Sequence, residues 1–336
     1  MDLKYGINDA FTLDMTLIPD FGQVQSDNQV LNLSPFEVQF NENRQFFTEG
    51  TELFNKANLF YSRRIGGTPF NYGNVYDDLS DSEEVISNPR ESRLLNATKV
   101  SGRNENGLGI GVFNAITATS EATIRDTETG NERTVITDPF TNYNVFVLDQ
   151  NLWPNSYVSL INTNVWRAGQ AYEANVTGTE FKLAPKDNSW NINGVGSVSQ
   201  KYFSDSTALG HNFTTNIEKT SGQFNFGIGQ NFESHTYDRN DLGFLFNNNE
   251  NSFYGFAAYN IFEPFGKFNR YRLNADVYYS RLDQPDVFNN FGVYVENFFM
   301  TRKFHAFNLW MNAQPLLSYD YFEPRETGRF YTFPIN

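Results

Sequence analysis

Residues Phe11-Thr-Leu-Asp-Met-Thr-Leu17 put Phe11, Leu13, Met15 and Leu17 on one side of an extended chain, and Thr12, Asp14 and Thr16 on the other. An acid marks a wet face, and a row of Phe, Leu and Met marks one that avoids water. The same weave returns at Phe224-Asn-Phe-Gly-Ile-Gly-Gln230, Tyr271-Arg-Leu-Asn-Ala-Asp-Val-Tyr-Tyr279, Phe307-Asn-Leu-Trp-Met-Asn-Ala313 and Leu317-Ser-Tyr-Asp-Tyr321. Long alternating strands separated by polar turns such as Glu128-Thr-Gly-Asn131 and Asp283-Gln-Pro-Asp286 are the pattern of an antiparallel β-barrel.

Composition agrees with that pattern. The 336 residues are 39% hydrophobic and 17% aromatic, with 34 Phe and 18 Tyr. A barrel strand needs an apolar residue only at every second position, while aromatic girdles enrich Phe and Tyr. A strand with half its loops takes about 20 residues, so this length accommodates about 16 strands. The expected fold is therefore all-β: one outer-membrane barrel, or an incomplete barrel forming a curved meander sheet, across 1–336. No run of residues approaches a membrane helix; Val145-Phe-Val-Leu148 is representative. A formal charge of -14 argues against nucleic acid as a partner. With no Cys there are no disulfides and no thiolate metal sites.

The ends set another expectation. Met1-Asp-Leu-Lys-Tyr5 runs straight into a hairpin, Leu3 to Ile7 and Phe11 to Leu17, and Asn336 follows Pro334 without a closing amphipathic strand. The chain reads as an internal piece of a larger protein, incomplete at both ends.

Two regions break the strand rhythm. Residues 19–56 mix Asp20, Glu37, Glu42 and Glu49 with Phe21, Phe36, Phe40, Phe46, Phe47 and Phe54. Such a segment has apolar surface to bury, and the expectation is a plug-like or shelf-like insertion with a short helix near Glu49 to Lys56. Leu59 to Ile65 is read as a strand carrying Arg63-Arg64. Its inward arginine, with Arg44, is expected to pair with Glu37, Glu42 or Glu49. Residues 68–93 read as a surface loop. Further strands are expected at Leu242 to Asn247 and Leu316 to Phe322, among others.

Ile18-Pro-Asp-Phe-Gly-Gln-Val-Gln-Ser-Asp27, Asn32-Leu-Ser34, Phe36-Glu37 and Arg44-Gln-Phe-Phe-Thr-Glu-Gly50 form an ordered set of blocks. Phe60-Tyr-Ser-Arg-Arg-Ile-Gly66, Ala97-Thr-Lys-Val-Ser-Gly102 and Asn240-Asp-Leu-Gly-Phe244 continue it. In that order they resemble a family of large Bacteroidota outer-membrane proteins whose C-terminal barrel domain has no assigned function. Gln25 and Asn41-Glu-Asn43 depart from the family pattern, where an acid and Pro-Glu-Lys are usual. The resemblance implies a Gram-negative outer-membrane location. It also implies a parent protein with a signal peptide and a family-9-like carbohydrate-binding module, neither of which lies in these residues.

Chemistry-bearing patterns are few. The acidic run Asp77, Asp78, Asp81, Glu83 and Glu84 offers oxygen ligands at short spacing, either for Ca²⁺ or as a solvated loop. Glu233-Ser-His235 with Asp238 reads as a hydrated loop, and Gly107-Leu-Gly-Ile-Gly111 as strand curvature rather than a nucleotide loop. Tyr157, Trp166, Trp190, Tyr202 and Trp310 suit either interface girdles or stacking on sugars. The functional expectation is a non-catalytic envelope barrel acting in transport, docking or scaffolding. Its partners would be outer-membrane lipid and lipopolysaccharide, with other envelope proteins or glycans as further partners. The alternative is a secreted all-β carbohydrate-binding or carbohydrate-active protein.

Overall fold

The computed structural model describes residues 1–19, 30–169, 171–324, 326 and 328–336. In chain order the strands are β1 (Asp2–Gly6), β2 (Phe11–Leu17), β3 (Glu83–Ser87), β4 (Leu94–Arg103) and β5 (Leu108–Thr117). Then come β6 (Ser120–Asp126), β7 (Glu132–Asp138), β8 (Thr141–Trp153), β9 (Ser156–Arg167) and β10 (Glu173–Leu183). The chain continues through β11 (Trp190–Tyr202), β12 (Thr207–Lys219), β13 (Phe224–Glu233), β14 (Glu250–Ile261) and β15 (Phe268–Arg281). It ends with β16 (Phe288–Thr301), β17 (Ala306–Ala313), β18 (Ser318–Asp320) and β19 (Tyr331–Phe333).

Fourteen of these strands form one antiparallel sheet, each beside the next in chain order, with β1 and β17 at its two unjoined edges. β3, β6 and β7 form a separate small sheet around Val75, Ala122 and Ile124, and β18 pairs only with β19. The main sheet thus has 14 strands among the described residues rather than about 16, and it is open. One end of the sheet carries short turns, such as 104–107, 154–155 and 220–223. The other carries the long excursions 18–93, 118–140 and 234–249.

Alternation gives the sheet two unlike faces. Across the first strand pairs, Asp14 stands opposite Lys99, Lys99 opposite Phe113, and Phe113 opposite Val145. This face is covered by the segment following β2. The other face is open and carries Leu13, Val100, Val112 and Phe146 in the same rows. Followed through every register, the charged residues in the body of the strands all lie on the covered face. They include Lys4, Asp149, Arg167, Glu180, Lys201, Glu218, Asp276 and Glu296. Charges reach the open face only at strand ends: Glu173 begins β10, Lys219 ends β12 and Arg281 ends β15. Open-face apolar side chains are accessible; Ile228 is 64% and Leu309 63% exposed.

Three expected strands are absent from the main sheet. Leu59 to Ile65 forms tight turns, because Ala57 and Asn58 adopt left-handed backbone (φ 52° and 54°) and redirect the chain. Leu242 to Asn247 is irregular; Leu242 is buried and the Phe244 ring lies 5.3 Å from that of Tyr61, while Phe246 is exposed. Leu316 to Phe322 contributes only β18, outside the sheet. The expected surface loop 68–93 contains a short helix, Asn74–Asp77, and β3. Likewise the helical turn of the insertion is Gln45–Thr48, before the expected Glu49 to Lys56.

Candidate functional site: the segment on the covered face

Residues 37–65 descend the covered face toward the short-turn end and return. Arg44 folds the start of this excursion around itself. Its Nε and Nη2 donate to the two carboxylate oxygens of Glu42 (2.9 and 2.7 Å), and Nη1 and Nη2 also donate to the carbonyls of Ile65 (2.6 Å) and Ser62 (2.8 Å). The descending and returning limbs of the excursion are thereby joined by one fork-shaped cation. Burial pushes the Glu42 carboxyl up, but the Arg44 guanidinium and the Ser62 hydroxyl outweigh it and hold it below the ordinary value.

Beyond Arg44 the segment is driven by apolar burial. Phe46, Phe47, Phe54 and Phe60 all contact the Phe113 ring of β5, with centroids 5.3 to 6.4 Å away. Leu53, Phe54, Leu59 and Ile65 join Ala97, Val145, Val147, Ile161 and Val176 of the wall in one cluster. Each fully buried Leu or Phe contributes roughly 1.5–3 kcal/mol relative to exposure. Covered-face glycines make the sockets. A Cβ on Gly178 would stand 2.6 Å from Leu59 Cδ1, and one on Gly109 2.8 Å from Leu53 Cδ2.

Wall charges then satisfy the backbone and termini of the turns. Lys99 donates to the carbonyls of Phe46 and Glu49, and the Ala57 amide donates to Glu180 Oε2 (2.6 Å). Lys56 Nζ lies 3.1 Å from Asp149 Oδ2, a carboxylate that also accepts from Arg103 and Ser159. On the return path the Tyr61 amide donates to the Leu242 carbonyl (2.7 Å), and Arg64 Nε to that of Gly243 (3.0 Å).

The 234–249 excursion folds onto the same face. Tyr237 is fully buried with its hydroxyl 2.6 Å from Ser197 Oγ. Asp241 accepts from Arg167 Nη2 (2.7 Å) and Tyr172 (2.8 Å), with Lys201 Nζ 3.2 Å away. Burial raises the Asp241 carboxyl, but Arg167 and Lys201 outweigh it and hold it below its ordinary value. Past Lys201 the covered face of β12–β16 is lined with Glu218, Asn231, Glu233, Asp276 and Glu296.

The sequence-derived site residues divide as follows. Arg44 meets Glu42, and Arg64 grips Glu37 through two bonds of 2.7 Å. Arg63 instead donates to the Asn41 carbonyl, 3.9 Å from Glu42, and Glu49 pairs with Lys4 (3.1 Å) rather than with an arginine. Arg63 and Arg64 stand on a 3-10 turn, Ser62–Arg64, so strand alternation does not govern their directions. Phe36 lies across from Phe322 (6.5 Å) in a cavity of about 450 Å³ shared with Tyr278 and Asn290 of the covered face. The excursion therefore reaches from β4–β10 to β15–β16, and the sheet curls around it. Asp20 and Phe21 lie outside the described residues.

The acidic run does not converge as a Ca²⁺ site would require. Glu83 is held by Arg133 (2.6 and 3.0 Å), which brings its carboxyl down to about 2, and no three acids gather at a cation position among the described residues. His235 Nδ1 sits 2.9 Å from Asp283, and Asp238 pairs with Lys201. Trp166, Trp190 and Tyr202 are on the open face, whereas Tyr157 and Trp310 turn to the covered face. Nothing in the sequence marks Lys56, Leu59, Lys99, Asp149 and Glu180 as site residues: strand register brings Lys99, Asp149 and Glu180 onto one face, and the insertion lays Lys56 and Leu59 against it.

A family model described as "Domain of unknown function (DUF5916)" matches residues 1–336. No curated protein and no solved structure gives a significant match.

Proposed function

The chain belongs to this family of domains of unknown function, and on that premise we propose that it is the wall and plug of a bacterial outer-membrane β-barrel. One observation carries the reading: body-strand charges keep to the covered face, and the open face admits charge only at strand ends. A charge facing lipid at mid-bilayer costs roughly 2–4 kcal/mol in a barrel wall, and less near the interfaces. A soluble sheet has no reason to place charges by height.

Aromatic placement supports the same reading. Phe11, Trp190, Phe224, Tyr259 and Phe307 stand on the open face toward the short-turn end. Trp166, Tyr202, Phe232, Phe253 and Tyr279 stand toward the long-loop end. Two aromatic belts around an apolar band are what two membrane interfaces require. By the usual barrel polarity, the short turns face the periplasm and the long excursions the outside, against lipopolysaccharide.

The role we propose is passage, docking or scaffolding at the envelope. Residues 37–65 obstruct the β4–β10 side of the lumen, and the acid- and amide-lined β12–β16 side provides the polar surface for a solute or partner. Membrane fractionation is the test. Recovery of the protein in the outer-membrane fraction, with a heat-modifiable gel mobility in detergent, is expected. Monodisperse recovery without detergent would overturn the reading in favour of a secreted all-β protein.

A further inference from the structure

The open face is not uniformly apolar. From β4 to β11, Thr98, Asn114, Asn144, Asn164, Asn175 and Gln200 stand directly opposite one another, one per strand, in an unbroken cross-strand row. The row lies within the apolar band rather than beyond it. Val112 and Ile116 flank Asn114 on the same face, and Leu160 and Trp166 flank the Asn162 and Asn164 pair. No charge interrupts it.

Neighbouring amides use part of the row's bonding capacity. Asn114 Nδ2 donates to Asn142 Oδ1 (2.6 Å) and Asn144 Oδ1 (2.8 Å), and Asn162 Nδ2 to Asn175 Oδ1 (3.1 Å) and Thr177 Oγ1 (2.7 Å). Among the described residues no side-chain bond joins Asn144 to Asn164, and the Nδ2 groups of Asn142 and Asn144 donate to nothing. An amide offers two donors and an acceptor oxygen with two lone pairs. Hydrocarbon satisfies neither, so open amides at this height need protein against them.

We propose that this amide row is the interface between two copies of the chain within the membrane, an inference that rests on the outer-membrane reading. The row is neutral and holds donors and acceptors of one kind, which makes its best complement the same row turned about a two-fold axis. An acidic or basic partner would find no opposite charge. Two open-face positions along β11 from Gln200, past Val198, Gly196 leaves a low spot on the same face, where a Cβ would meet nothing nearer than Thr179 Cγ2 at 3.9 Å.

The chain has no cysteine, so single Asn144→Cys, Asn164→Cys and Leu309→Cys variants of the full protein report position cleanly in intact outer membranes. Oxidation or a short bis-maleimide should give a species of doubled mass for Asn144→Cys and Asn164→Cys and none above background for Leu309→Cys. Thr177→Cys reports the same patch if either amide variant fails to accumulate. Replacing Asn144 and Asn164 by Leu should abolish dimer capture through Thr177→Cys while membrane insertion and heat-modifiability persist. Membrane-inserted protein that stays monomeric, or that cross-links to a different protein, overturns the interface and leaves the membrane reading standing. Recovery in the soluble fraction overturns both.

Discussion

Lys56 Nζ and Asp149 Oδ2 lie 3.1 Å apart, and the Asp149 side chain is only 1% exposed, so the tip of the insertion is fixed to the wall by a pair nearly closed to water. Removing the two partners should not be equivalent. Asp149 keeps Arg103 and Ser159 when Lys56 is replaced by Met, so the cost should be about 1–3 kcal/mol. Asp149→Asn leaves Lys56 and Arg103 facing a neutral amide and should cost about 3–5 kcal/mol. Denaturant midpoints in detergent check the order. Equal losses would mean that the pair is a surface contact.

Gly178 and Leu59 form a socket and a knob. Gly178→Val would drive its side chain into Leu59 Cδ1 and the Ser197 Cβ, 2.6 and 3.1 Å from the added Cβ. Overpacking of this kind typically costs about 1–3 kcal/mol. Leu59→Ala alone should cost about 2–5 kcal/mol through the cavity it opens. The double variant should recover part of both losses, with a coupling of about 0.5–3 kcal/mol. Strict additivity would place Leu59 away from Gly178.

Period-two alternation made the sheet legible, because each strand's facing depends on its own residues; Phe11–Leu17 and Phe307–Ala313 carry their register in plain view. Leu59 to Ile65, with its apolar and aromatic start, reads as a strand yet folds as turns. Left-handed Ala57 and Asn58 just before it redirect the chain, and the socket that receives Leu59, at Gly178, lies far along the sequence. The insertion's Phe-rich composition announced burial, but not the partners, since Lys99, Asp149 and Glu180 are brought to it by three different strands. The amide row was illegible for the same reason: Asn114, Asn144, Asn164 and Asn175 become neighbours only through pairing.

Acid should release the insertion from its Arg44 end. Glu42 titrates below its ordinary 4.5 in the folded state, so its contribution is fully present above pH 4.5 and is lost as pH falls through the lower folded value. Protease resistance of residues 37–65 is expected to hold from neutral pH down to 4.5 and to decline below it. Arg44→Ala should remove that decline while lowering resistance at neutral pH, because Ser62 and Ile65 also lose their donor. Rapid cutting of the wild type between Phe36 and Phe47 at neutral pH would show a loose loop instead.

Lysine substitution at adjacent positions separates the two faces of one strand. Leu13 faces outward beside Val100, whereas Thr12 faces the covered side beside Ser101. On β17, Leu309 is 63% exposed outward, whereas Asn308 turns inward and donates to Glu296 Oε1 at 3.0 Å. On the proposed outer-membrane placement, a lysine at Leu13 or Leu309 meets hydrocarbon and should cost roughly 2–4 kcal/mol, enough to lower assembly in a membrane-folding assay. A lysine at Thr12 stays on the wet face, and one at Asn308 gains Glu296 as a partner, so Thr12→Lys and Asn308→Lys should fold normally. The comparison is internal to each strand, because both members of a pair add the same charge and bulk within one residue of each other. Matched folding yields for Leu13→Lys and Thr12→Lys would mean that the open face is not in contact with lipid.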